Sequence, residues 1–192
     1  MKLKIFDLYQ ALKFVMPAMG KNESRKNLMC IDIKFEGDKC RIMAADSFCI
    51  KIANTFIFYG DDKESSGNFQ ILSEQVKDIF SICNLHKGLK KERDDNYCIL
   101  NSKLFSSRKS NVEIMPVSFE YPNLERLIDP EGKPSQDVGI SLHFIDKVLK
   151  SFPNEAKLGV VKFSNFGNKA PFVITSQDGL FKSVLMPVRI QW

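Results

Sequence analysis

Ser183-Val184-Leu185-Met186-Pro187-Val188-Arg189-Ile190 is the stretch on which the fold of this chain turns. A short apolar strand runs into a proline, and an arginine follows between two β-branched residues. Proline has no amide hydrogen to donate and fixes its own φ, so the strand ends or lies at an edge there. The residues beyond are then available to line a groove. Upstream, strands are expected at Gly159–Ser164 and Phe172–Ser176, the second joined to this run by the turn Ser176-Gln177-Asp178-Gly179. Before them, Phe144, Ile145, Val148, Leu149 and Phe152 share one face of a helix that stops ahead of Pro153. A strand at Val138–Ser141 precedes that helix, so the end of the chain reads strand, helix, strand, strand, strand.

The same order occurs twice more. Lys2-Leu3-Lys4-Ile5-Phe6 alternates as a strand does, and Leu8, Ala11, Leu12 and Val15 follow at i, i+3, i+4, i+7 spacing. Asp7 is the expected N-cap and Pro17 the limit of this helix. Strands are expected at Leu28–Phe35, Lys39–Ala44 and Phe48–Phe56, the first two joined by a tight Glu36-Gly37-Asp38 turn. The second copy opens with Asn68–Leu72, and Ser73 caps a helix bearing Val76, Ile79, Phe80 and Cys83. A polar loop, Lys87–Asn96, leads to strands around Tyr97–Leu100, Lys103–Ser107 and Val112–Val117. Each unit alone would expose an apolar helix face and an apolar sheet face, and stacking neighbours buries both. The fold class is α+β. Periodicity alone leaves open a single α+β domain with a chance rhythm of elements.

The 192 residues, 44% hydrophobic and 27% charged, have ordinary globular composition and suffice for one sizeable core or two small ones. No apolar run approaches the roughly 20 residues that span a bilayer, so no membrane partner is expected. Asp7 follows the basic start too soon for a secretory signal, and a cytoplasmic location is expected. The five cysteines (Cys30, Cys40, Cys49, Cys83, Cys98) are odd in number, form no Cys-x-x-Cys pair and lie in or beside apolar segments, so they read as core thiols. No metal and no cofactor is expected. The net charge of +5 is too small to imply nucleic-acid binding by itself.

A search for chemistry proposes no reaction, and the chain reads as not an enzyme. No HExxH, GxSxG, P-loop or GxGxxG pattern occurs. Cys83 and His86 lie close on one helix, but Cys83 belongs to its apolar face. Asp94-Asp95 reads as solvated loop. Asp46, after Ala44-Ala45, reads as a turn residue whose carboxylate bonds the local backbone.

Several segments, in order, resemble the sliding-clamp family, the β subunit of bacterial DNA polymerase III. The terminal run is similar to the C-terminal strand and tail of those clamps. Asn27-Leu28-Met29-Cys30-Ile31-Asp32-Ile33 followed by Glu36-Gly37-Asp38-Lys39-Cys40-Arg41-Ile42 resembles the paired strands of a clamp domain's first half. Ala44-Ala45-Asp46-Ser47-Phe48-Cys49-Ile50 stands where clamps carry Ala-Thr-Asp-Gly-His-Arg-Leu, and Glu120-Tyr121-Pro122-Asn123-Leu124-Glu125-Arg126-Leu127-Ile128 resembles their Phe-Pro-Asp-Tyr-Arg-Arg-Val segment. Ser47, Phe48 and Cys49 depart from the family's glycine, histidine and arginine, so the pocket is shaped for different partners. A clamp subunit has six half-units and this chain has room for three. It looks like a complete domain over 1–130, in halves 1–60 and 66–130, joined to a third half-unit over 136–192.

The resemblance implies a DNA-clamp fold, helices on one face of antiparallel sheets, and a processivity factor that encircles double-stranded DNA. It implies a groove for DNA polymerase and other clamp-binding proteins around Ala45, Ser47, Phe48, Ile50, Pro122, Arg126, Leu127, Leu185, Met186, Pro187, Val188 and Arg189. A clamp loader is a further implied partner. Family rings contain twelve half-units, so three per chain implies a homo-oligomer of four, with neighbours related by twofold axes. The alternative is a clamp-like regulatory module that forms no ring and competes for clamp partners.

A sliding contact needs lysine or arginine facing phosphate without base readout. Lys13 lies opposite the first helix's apolar face, and Lys147 and Lys150 lie opposite the third's. Lys21, Arg25 and Lys26 form a basic loop. The second helix presents Glu74 and Asp78 instead, with Lys87, Lys90 and Lys91 in the loop behind it. These nine basic residues are the DNA-contact candidates.

Overall fold

The computed structural model of the chain describes residues 1–58, 66–86, 96–108, 110–117, 119–128, 141–153, 161–165 and 171–186. The expected strand at Val138–Ser141 apart from Ser141, the tail from Pro187, and most of the Lys87–Asn96 loop lie outside the described residues.

Strand β1 (Lys2–Lys4) runs without a break into helix α1 (Ile5–Val15). The helix begins before the expected Asp7 cap: Lys4 is the extended N-cap residue and makes no side-chain cap bond. Its start is set by tertiary pairing, since Lys4 pairs with Tyr97 and the Ile5 amide donates to the Asn96 carbonyl at 2.9 Å. Asp7 sits in the first turn, where its charge faces the free amides of the helix. Pro17 falls in a short 3-10 helix, Met16–Ala18, directly after α1.

A second 3-10 segment, Glu23–Leu28, lies in the stretch read as a basic loop and takes Leu28 from the expected strand; the Asn22 side chain accepts from the Ser24 amide at 3.0 Å and opens it. Strands β2 (Cys30–Glu36), β3 (Lys39–Ala45) and β4 (Cys49–Phe56) follow. Glu36 pairs with Lys39 across a two-residue turn whose Gly37 has φ 56°, a conformation that favours glycine. Next come β5 (Ser66–Leu72), α2 (Ser73–His86), β6 (Tyr97–Leu100), β7 (Leu104–Ser106) and β8 (Asn111–Glu113). The last of these is shorter than expected. A one-turn helix α3 (Glu125–Ile128), helix α4 (Leu142–Ser151) and strands β9 (Val161–Asn165), β10 (Phe172–Ser176) and β11 (Phe181–Leu185) complete the order.

The strands form two antiparallel sheets, β1-β6-β7-β8 and β5-β2-β3-β4-β11-β10-β9. The first two units exchange their leading strands. β1 pairs with β6, with Leu3 opposite Cys98, and β5 pairs with β2, with Ile71 opposite Ile31. The third unit joins the first edge to edge, β11 against β4, with Val184 opposite Ile50.

Alternate side chains leave a strand on opposite faces, and here both faces of the larger sheet are covered. One face (Ile31, Ile33, Ile42, Ala44, Ala53) meets Leu8, Leu12, Phe14 and Val15 of α1 and Val76, Ile79 and Cys83 of α2. The other (Met43, Ile50, Ile52, Val173, Val184) meets Tyr121, Leu124, Leu127 and Ile128. Phe14 binds α1 to the third unit, edge-on to Phe152 at 5.0 Å and to Phe181 at 5.1 Å between ring centroids. Lys51 of β4 faces this same helix layer and is fully buried. Its ammonium donates to the Ser151 hydroxyl and, at 3.4 Å, to the Lys147 carbonyl in the last turns of α4. A cation there matches the negative end of the helix dipole.

Candidate partner groove and nucleic-acid face

The β3–β4 turn builds the groove candidate. Asp46 Oδ1 accepts from the amides of Phe48 (2.8 Å) and Cys49 (2.7 Å), and the Asp46 amide donates to the Cys49 carbonyl at 3.0 Å. These bonds fix the turn and put Asp46 in the backbone-binding role read for it. They also hold Phe48 outward, 55% exposed, with its ring stacked 5.3 Å from that of Phe144 on α4. His143 lies edge-on to Phe144 at 5.6 Å. The Met186 amide donates to the Phe48 carbonyl at 3.1 Å, so the end of β11 is pinned beside the turn. Ser47 Oγ accepts from Arg25 Nη1 at 2.5 Å, and Lys147 Nζ is 3.2 Å from Asp46 Oδ2.

Ser47, Phe48 and Met186 therefore meet at the seam between the first and third units. Ala45, Ile50 and Leu185 are buried beside them and hold the strands. Leu127 is half-buried in the same outer cluster as Ala45 and Ile50, and Arg126 stands exposed on α3. Pro122 lines a cleft of about 460 Å³ over β2 and β5, with Asp32, Gln70, Tyr121 and Asn123. Burial holds the Asp32 carboxyl above the usual carboxylate range, partly offset by the Gln70 amide that donates to it at 2.8 Å. Pro187, Val188 and Arg189 lie outside the described residues. Three groove neighbours were not read from the sequence: Arg25, His143 and Phe144. Phe144 carries the only sequence signal, a second aromatic beside Ile145 where one apolar residue per turn serves the core. Chemically, an exposed aromatic ring stacked on a half-buried one, a thioether and nearby cations suit capture of an apolar side chain of a peptide.

The DNA-contact candidates divide. Lys13 is exposed on α1, with its ammonium 5.9 Å from the centre of the Tyr9 ring, and Lys21 and Lys26 are exposed. Arg25 is engaged at Ser47, Lys147 is paired with Asp46, and Lys150 is paired with Asp146 at 2.7 Å. Lys87, Lys90 and Lys91 lie outside the described residues. Along α1, α2 and α4, Lys13, Lys77, Lys147 and Lys150 are matched by Asp7, Glu74, Asp78 and Asp146. The helix layer is thus close to neutral.

Burial pushes the thiols of Cys30, Cys40, Cys49 and Cys98 up to about 12, and that of Cys83 higher still. A thiol so placed in the core is no nucleophile. Among the described residues no group of three His, Cys, Asp or Glu is arranged to hold a metal ion, and no helix is long and apolar enough to cross a membrane.

No protein-family model matches the chain, and no curated protein matches it. Solved structures do. The DNA polymerase III β subunit of Thermotoga maritima superposes with a TM-score of 0.80 at 15% identity, over 100% of this chain and 65% of that one. The DNA polymerase sliding clamp of Bacillus subtilis gives 0.76 at 14% identity, over 99% and 64%. The β chain of Streptococcus pneumoniae DNA polymerase III gives 0.74 at 14%, over 99% and 64%. This chain spans about two thirds of the length of each. With strands exchanged between its first two units, helices against one face of antiparallel sheets and these neighbours, the chain has the fold of the sliding clamps over about two thirds of their length.

Proposed function

We propose that this chain is a clamp-type processivity factor, not an enzyme, acting in the cytoplasm. Copies of it close into a ring around duplex DNA, four chains completing the circle. The chain comprises a complete clamp domain over 1–130 and a half-unit over 136–192. Retention is topological, helped by weak phosphate contacts from Lys13, Lys21, Lys26 and the neighbouring basic residues. DNA polymerase or another DNA-processing protein is tethered at the seam of Ser47, Phe48 and Met186, and a loader opens the ring. One observation carries the reading: the first and third units share a continuous sheet with the helices to one side. That is an arrangement extendable edge to edge.

The test is retention on nicked circular DNA against the same DNA linearised. A ring stays on the circle and runs off free ends. Equal loss from both would overturn the proposal.

The balanced charge of the helix layer favours a second reading, a clamp-like module that occupies clamp partners without encircling DNA. It predicts peptide binding with no difference between circular and linear DNA.

A further inference from the structure

The first two units complete each other by reciprocal exchange. The strand before α1 crosses to β6, and the strand before α2 crosses to β2. In the third unit the strand in the position of β2 and β6 is β9, which is the end of the seven-stranded sheet among the described residues. The side chains around it register the difference. Ile31 and Ile33, on the helix-facing side of β2, are 1% and 0% exposed beneath β5 and α2. Phe163 of β9 lies opposite Ile174, which is buried in the helix-facing core, so Phe163 points to the same side; yet it is 51% exposed.

The helices agree. Leu8, Ala11, Leu12 and Val15 of α1 correspond in spacing to Val76, Ile79, Phe80 and Cys83 of α2, and to Ile145, Val148, Leu149 and Phe152 of the third unit. Leu12 is buried, and Phe80 is half-buried with its ring stacked on Tyr9 at 5.2 Å, because α1 and α2 pack together. Leu149, at the same position, is 42% exposed. The third unit therefore shows, on both its strand edge and its helix, the apolar surface that each of the other units hides against its sister.

We propose that the β9 edge and the adjoining face of α4 receive the third unit of a second copy of this chain. Two such units form one complete two-unit body about a twofold axis. The pseudo-symmetric packing of unlike units 1 and 2 becomes exact symmetry between identical units, which is the requirement of an isologous contact. The pairing deepens the proposed ring by naming one of its chain-to-chain joints, yet it stands or falls separately.

The test uses the full chain, with mass measured by size-exclusion chromatography and light scattering at about 10 μM, a concentration at which micromolar contacts are occupied. The wild type is expected to contain two chains or four, and the double variant Phe163→Glu/Leu149→Glu is expected to show half that mass with an unchanged far-UV spectrum. A monomeric wild type, or a folded variant of undiminished mass, overturns the joint. A four-chain assembly unaffected by the variant would leave the ring standing without this joint. A dimer split to monomers, with no preference for circular DNA, would leave the joint standing without the ring. Should the double variant unfold, the milder Leu149→Cys decides. The native thiols are buried, so a short bis-maleimide should link Leu149→Cys chains in pairs and leave a Leu85→Cys control on α2 single. Unlinked Leu149→Cys chains overturn the proposal.

Discussion

Replacing Lys51 by methionine is expected to stabilise the protein, by about 1–2 kcal/mol near neutral pH. Lys51 is fully buried where β4 meets the third unit, with its ammonium 5.3 Å from the centre of the Phe14 ring. Burial is the main cause that lowers its pKa from 10.5 to about 8. The unfolded chain therefore binds the proton more tightly than the folded one. The cost to folding is fully present below about pH 8 and is relieved as pH rises toward the unfolded value. At about 1.4 kcal/mol per pKa unit, the whole penalty is on the order of 3 kcal/mol. Methionine has similar length and no charge. It forgoes the bond to Ser151, the bond to the Lys147 carbonyl and the cation–ring contact, together worth about 1–2 kcal/mol. Ser151 keeps its own bond to the Val148 carbonyl at 2.7 Å, so no hydroxyl hydrogen is stranded. The assay is urea unfolding at about pH 7.5 and about pH 9.5. Between these, the wild type should gain about 2 kcal/mol that Lys51→Met does not. A variant less stable by 2 kcal/mol or more near neutral pH, with the same pH slope as the wild type, would refute the reasoning.

Two further outcomes concern the seam. Phe48→Ala should weaken a labelled short peptide with leucine and phenylalanine anchors at least tenfold in fluorescence anisotropy, because it removes the outward ring of the Phe48–Phe144 stack. Its thermal midpoint should move little, since Phe48 is already 55% exposed. Asp46→Ala should cost about 1–2 kcal/mol in urea unfolding, because it leaves the Phe48 and Cys49 amides without the carboxylate and breaks the Lys147 pair.

Spacing along the chain was enough to find helices α1, α2 and α4 and most of the strands, because each buries one periodic face. It was not enough to find partners. Nothing in Lys2–Lys4 says that its mate is Tyr97–Leu100 and not its own unit's β2, since alternation specifies a face and leaves the neighbour open. The helix start moved from Asp7 to Ile5 for the same reason: a distant backbone bond from Ile5 to Asn96 outranked the local cap. Lys51 sits between Ile50 and Ile52 and reads like a solvent-facing lysine. Only the second apolar layer, supplied by Tyr121, Leu124, Leu127 and Ile128, reveals that both faces of β4 are interior. At the seam, the resemblance supplied Phe48 and Met186, whereas Arg25 reached Ser47 from a 3-10 segment that the pattern had read as a basic loop.

The crossing of β1 to β6 also has a temporal side. Lys2 and Ile99, partners across the ladder, are made 97 positions apart. At about 5–20 residues per second, that interval is on the order of 5–20 s. Throughout it β1 has no ladder partner, so the four-stranded sheet closes only once its far end has been made.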